Sequence, residues 1–215
     1  MAKRPMSHAV PDDMEIAPGH AVAEWKRLCL DDPGGADWDG AINIFEIRIR
    51  RRYIEAVDVL IAHDLEQVHG SFGFAILSID CLLIETLQGF REGLIDHTRQ
   101  SKRLIKKFLS TRPGFMPYFG SEEDADAFYA NYRCALLHSG ETVGDFRVQR
   151  RGPMLERLPC GRINVNRTAF HEAIKVEFAG YLQELRAGID IPLRNFFRIK
   201  MNAICGMAPT PQQGK

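Results

Sequence analysis

Tyr132-Arg133-Cys134-Ala135-Leu136-Leu137-His138-Ser139-Gly140-Glu141-Thr142 places an arginine and a histidine with four residues between them, followed at once by a serine and a glycine. Upstream, Ser121 followed by Asp124 predicts a helix N-cap with an acid at the third position, and Glu122 and Glu123 suit the positive end of the helix dipole. A helix begun there carries Phe128, Tyr132, Ala135 and Leu136 inward and stops at Gly140, a residue able to take the left-handed conformation that ends helices. The segment therefore closes an amphipathic helix with two side chains suited to phosphodiester chemistry. Arginine holds phosphate oxygens, and histidine moves a proton near neutral pH.

The same periodicity extends outward on both sides. Phe72 to about Ile95 is apolar on most faces, as in a helix at the centre of a bundle, which makes Asp80 and Glu85 costly unless each has a partner. Before it, Ile42, Phe45, Ile49, Tyr53, Ala56 and Leu60 follow helical spacing from Ala41 toward Gly70. The alternation of Ile42, Ile44, Ile47 and Ile49 also fits a strand, but length and the absence of breakers favour the helix. A short helix over Ala21 to Leu30 is stopped by Asp31-Asp32-Pro33-Gly34-Gly35, and another runs from about Thr98 to Leu109 until Arg112-Pro113-Gly114. Beyond Gly140, the alternating runs Asp145 to Arg150 and Arg162 to Val165 predict a small β-hairpin. Two helices then close the chain, Arg167 to Ala187 and a last one with Pro192 in its first turn, reaching about Cys205. The expected architecture is all-α, a helical bundle with a hairpin insertion before the last two helices. Residues 1–19, with Pro5, Pro11 and Pro18, read as a flexible arm, 20–206 as a single domain, and 207–215 as a flexible tail.

Composition narrows function without naming it. Over 215 residues, 28 Lys and Arg balance 28 Asp and Glu, so affinity for nucleic acid must come from local basic clusters. The five cysteines lie far apart with no CxxC pair, which argues against a zinc site and a disulfide framework. No metal and no cofactor are expected. Walker, GxGxxG and GxSxG motifs are absent, and His171-Glu172 lacks the second histidine of HExxH. The most apolar run, Phe72 to Leu87, is short for a membrane span and contains Asp80 and Glu85, so the expectation is a cytoplasmic protein without a membrane partner.

The chain resembles the HEPN superfamily, all-helical domains marked by an arginine followed, after four to six residues, by a histidine. Arg133 and His138 carry that mark here, at the end of a helix preceded by the apolar segment containing Asp80-Cys81-Leu82-Leu83-Ile84-Glu85. The resemblance covers about residues 41–187. It implies a metal-independent endoribonuclease working as a homodimer with a composite site, in a setting such as a bacterial toxin or anti-phage defence, with an antitoxin or regulatory protein as possible partner. Other members of the family are inactive and bind RNA, a nucleotide or a partner protein. The commonest active form has a polar residue such as Asn, Asp or His directly after the arginine, where this chain has Cys134.

Read as chemistry, His138 is the candidate proton acceptor for a ribose 2′-hydroxyl and Arg133 the candidate stabiliser of the charged phosphorus centre. Five positions along an α-helix rotate a side chain by about 140°, so the two residues do not share a face in mid-helix. Asp80 and Glu85 are candidates to orient Arg133 or to satisfy donors within the bundle. Arg147, Arg150 and Arg151, with Phe146 as a stacking platform, are the candidate RNA contacts. Each feature has a plainer meaning: an arginine paired to a buried acid, a histidine capping carbonyls, a solvated basic face.

Overall fold

The computed structural model describes residues 10–207, most of them helical. They divide into two compact units, each built from separated stretches of chain. The sequence reading places 20–206 in one domain. No Gly- or Pro-rich linker marks the passages between units, because the chain crosses from one to the other inside or beside its helices.

The first unit holds residues up to 51, 89–96 and those from 182 onward. Strands β1 (Glu15–Ala17) and β2 (His20–Ala21) pair antiparallel and lead into helix α1 (Val22–Lys26). The segment 10–19 of the expected arm thus carries structure, with Ile16 and Ala17 fully buried and the Ile16 carbonyl accepting from Arg48. A lone buried isoleucine in so short a strand has no period to reveal it. Residues 1–9 and 208–215, nearly all the rest of the expected arm and tail, lie outside the described residues. Helix α2 (Asp37–Ile49) contributes Phe45 to an aromatic cluster in which its ring centroid lies 4.5 Å from Phe90 and 5.3 Å from Phe197. The last helix of the chain (Ile191–Ile204) begins at Asp190, whose carboxylate accepts from Leu193 N, with Pro192 in the first turn.

A π-helical segment, Arg50–Ile54, joins α2 to helix α3 (Glu55–Glu66). It explains where the helical spacing slips. Ile42, Phe45 and Ile49 are buried as expected, but beyond them the buried positions are Ile54, Val57, Ile61 and Asp64, not Tyr53, Ala56 and Leu60. A π turn closes i→i+5 and takes up one extra residue, so every later side chain moves round the helix by one position. That slip delivers Asp64 to the core.

The second unit comprises 52–88 and 97–181. Helix α4 (Gly73–Arg91) lies within the expected span of Phe72 to about Ile95 and ends short of it. By length and composition it passes the test for a membrane-crossing helix, yet 61% of its most apolar window is buried inside the fold, as in a core helix. Helix α5 (Ser101–Thr111) and the short α6 (Met116–Phe119) precede α7 (Glu122–Phe128), a π-helical segment Tyr129–Cys134, and α8 (Ala135–Ser139). Ser121 caps α7 by accepting from Asp124 N at 3.0 Å, and Gly140 ends α8 at φ 65°. Phe128, Tyr132, Ala135 and Leu136 face inward. Phe128 stacks on Phe170 with centroids 5.2 Å apart.

The expected hairpin is a three-stranded sheet. Strand β3 (Phe146–Gln149) runs parallel to β5 (Ile163–Asn166), and only β4 (Leu155–Arg157) forms an antiparallel pair with β5. The two alternating runs seen in the sequence are therefore neighbours but not a hairpin. The connection between them is long enough to cross back, which parallel pairing requires. Tyr132 fixes this sheet to the helices, its hydroxyl lying 2.9 Å from the carbonyl oxygens of both Arg147 and Ile163. Helix α9 (Arg167–Ala187) follows β5 directly, and the last helix (Ile191–Ile204) becomes α10.

Candidate functional site

Arg133 sits in the π-helical segment before α8, a kind of irregularity often found at functional positions. Its Nη2 lies 3.3 Å from Glu85 Oε2 on α4. Ser101, the first residue of α5, donates to the same oxygen at 2.6 Å, and His97 Nε2 is 4.0 Å from Oε1. The guanidinium also lies over the Tyr129 ring, 5.6 Å from its centroid. Burial raises the Tyr129 phenol pKa and the neighbouring Cys134 raises it further, against the opposing effects of Ser101 and Arg133. With side chains 18% and 10% exposed, Arg133 and Glu85 form a mostly buried pair with an edge open to solvent. One of five guanidinium N–H groups is committed to Glu85, so the others remain able to meet an anion.

His138 stands exposed near the end of α8, and it makes no hydrogen bond or ion pair with Arg133. Gly140 N donates back to Leu136 O at 3.2 Å, so the glycine closes the helix without engaging the imidazole. The two residues of the motif are thus on one short stretch of chain but are not assembled into a contact within it.

Asp80 and Glu85 part company. Five residues apart on α4, they point to different neighbours: Glu85 meets Arg133, whereas Asp80 is fully buried with Oδ1 2.7 Å from His171 Nδ1 on α9. Asp80 is therefore not a partner of Arg133. Burial pushes its carboxyl up to about 6, with His171 pulling the other way.

The basic candidates are mostly engaged. Phe146 is half-buried and packs edge-on against Tyr132, with ring centroids 5.3 Å apart. Arg147 donates to the carbonyls of Gly144 and Phe146, both at 2.7 Å. Arg150 donates to the backbone oxygens of Asp64, Gln67 and Val68 at the end of α3, while Arg151 is exposed. On α5, Lys102 and Lys106 pair with Asp126, and Lys106 also with Glu122.

A second polar group escaped the sequence reading. Arg167, His171 and Lys175 recur every four residues along α9 and meet acids from α3 and α4. Arg167 pairs with Asp64, His171 with Asp80, and Lys175 Nζ lies 2.9 Å from Asp58. Asp64 also accepts from Ser71 N at 2.6 Å and Phe72 N at 3.2 Å. Burial raises its pKa, but these N–H groups and Arg167 outweigh that and hold the carboxyl below its ordinary value. The signal was the i, i+4, i+8 spacing of cations beside the apolar stripe of Phe170, Ile174 and Phe178. Among the described residues, no group of three or more His, Cys, Asp or Glu is placed to hold a metal ion.

Comparison of the chain with family models, with curated proteins and with solved structures yields no match.

Proposed function

We propose that the protein is a HEPN-like, metal-independent endoribonuclease whose working site forms when two copies meet at Arg133 and His138. The observation that carries this reading is the partly exposed Arg133, braced by Glu85 at 3.3 Å with guanidinium N–H groups to spare, one helical stretch before an exposed histidine. Because Arg133 and His138 do not meet within the chain, a second copy supplies the missing approach. Leu137, one turn after Arg133, Leu82, one turn before Glu85, and Val143 are exposed apolar residues suited to such a contact. His138 takes the proton of a ribose 2′-hydroxyl, and the oxygen attacks phosphorus while Arg133 stabilises the added charge. The P–O5′ bond breaks, and His138 of the partner subunit protonates the leaving oxygen. The products are a 2′,3′-cyclic phosphate and a 5′-hydroxyl, with no water consumed.

A mixed RNA pool incubated with the protein in EDTA tests this. The expected result is cutting with cyclic-phosphate ends, reduced about 10²–10⁴-fold in His138→Ala and lost in Arg133→Ala, with DNA left intact. A well-folded protein that cuts nothing would remove the enzyme reading. A second reading is a non-catalytic module that binds RNA, a nucleotide or a partner protein. It is favoured by the Glu85 contact, which already engages Arg133, and by Cys134 in place of a polar neighbour.

A further inference from the structure

We infer that the second unit contains a separate binding site for a phosphate monoester, in the cavity between the start of α4, strand β3 and the start of α9. The cavity has a volume of about 220 Å³ and is lined by Asp64, Gly70, Gly73, Val148, Arg150 and Arg167. At about 30 Å³ per water, that is room for one phosphoryl group with a few waters.

Arg167 is fully buried in the wall. Its Nη atoms are engaged by Asp64 and Thr168, while its Nε–H has no hydrogen-bond acceptor among the described residues. A buried donor left unmade is costly, and each such group calls for an explanation. Arg167 lines the cavity, which makes an acceptor oxygen placed there the candidate partner for that N–H.

Charge points the same way. Asp64 balances one guanidinium, whereas Arg150 rests only on backbone carbonyls, so two arginines face a single carboxylate. The cavity also adjoins the first residue of the 19-residue helix α4, whose positive dipole end favours an anion. Arginine pairs with phosphate through parallel N–H groups, which matches a dianionic oxygen cluster better than a halide.

Two bare glycines keep the space open. A Cβ on Gly70 would lie 2.9 Å from Arg150 Cδ and 3.3 Å from Asp64 Oδ2, and one on Gly73 would lie 3.1 Å from Val148 Cγ1. Next to this cavity is an open groove of about 470 Å³ that shares Gln149 and Arg150 and is edged by Arg151, Leu65 and Val68. It gives the body attached to the phosphoryl group a place to lie. The inference does not depend on the ribonuclease reading, since neither Arg133 nor His138 lines either space.

Calorimetric titration at fixed ionic strength tests the site with three probes: inorganic phosphate, a nucleoside 5′-monophosphate, and a short RNA with a 5′-phosphate beside its 5′-hydroxyl twin. Saturable binding of any one above a chloride control supports the site, and the tightest probe identifies whether the source is free phosphate, a mononucleotide or an RNA end. Arg150→Gln is expected to weaken that binding tenfold or more, and Lys102→Gln, on α5 and outside both spaces, to leave it unchanged. If Arg150→Gln does not fold, Gly73→Ala, which narrows the cavity, decides with the same expected loss. No binding of any probe, or equal binding by the folded variants and the parent protein, overturns the proposal.

Discussion

The end of α8 and the inner face of α9 use the same residue types to opposite ends. Each carries an arginine paired with a carboxylate and, five or four residues on, a histidine. At α8 the arginine keeps one loose contact, the side chains are partly open, and the histidine faces solvent. On α9 every member of the Arg167–Asp64 and His171–Asp80 pairs is buried. Charges out of water must be paired, so removing one partner there is a structural injury. Charges at a half-open surface can change partners, which is what a site needs.

The largest test of this contrast is Arg167→Ala. It leaves Asp64 buried without its cation and should cost about 3–5 kcal/mol, read from urea unfolding. A loss comparable to that of an exposed residue would break the distinction between the two regions.

A pH series sharpens it next. The Asp80 carboxyl is held near 6 in the folded protein against an ordinary 3.8, so the folded state takes up its proton more readily than the unfolded chain. The contribution of Asp80 to stability is therefore fullest below pH 4 and is lost as pH rises through 6. At 1.36 kcal/mol per unit of displacement, the loss is about 3 kcal/mol. Asp80→Asn cannot titrate and should flatten that part of the stability profile. Identical pH profiles for variant and parent would show that Asp80 does not titrate in this range.

The smallest expected effect belongs to His138→Ala. An exposed residue with no hydrogen-bond or ion-pair partner among the described residues should change stability by no more than about 0.5 kcal/mol, whatever it does to RNA cutting. A fall in unfolding midpoint as large as that of Arg167→Ala would mean that His138 is structural.

Much of the architecture was legible because it rests on local rules. Ser121 capping a helix that ends at Gly140 follows from side-chain and backbone preferences within a few residues. Phe128, Tyr132, Ala135 and Leu136 turned inward as their spacing required. Helical spacing failed after Arg50, where the π turn inserts a residue that no propensity announces. The three-stranded sheet was read as a hairpin because alternation identifies strands and not which neighbour each one pairs with. At the candidate site, the Arg133 and His138 motif was visible on the chain, but the partner of each acid was not. Asp80 and Glu85 are both acids in one apolar helix, and their roles differ because α9 faces one and the π-helical segment before α8 the other.

By itself the sequence determined that most of the chain is helical, that Ser121 and Gly140 bound one helical stretch, which side chains are apolar enough to form a core, and which residues have the chemistry to hold phosphate or move a proton. Tertiary structure alone decided which charges are buried and with whom. Capping and periodicity act over a turn or two of chain. The pairing of Asp64 with Arg167, 103 residues away, depends on how far helices have been rotated by every residue before them, and burial then multiplies the energetic consequence of that placement.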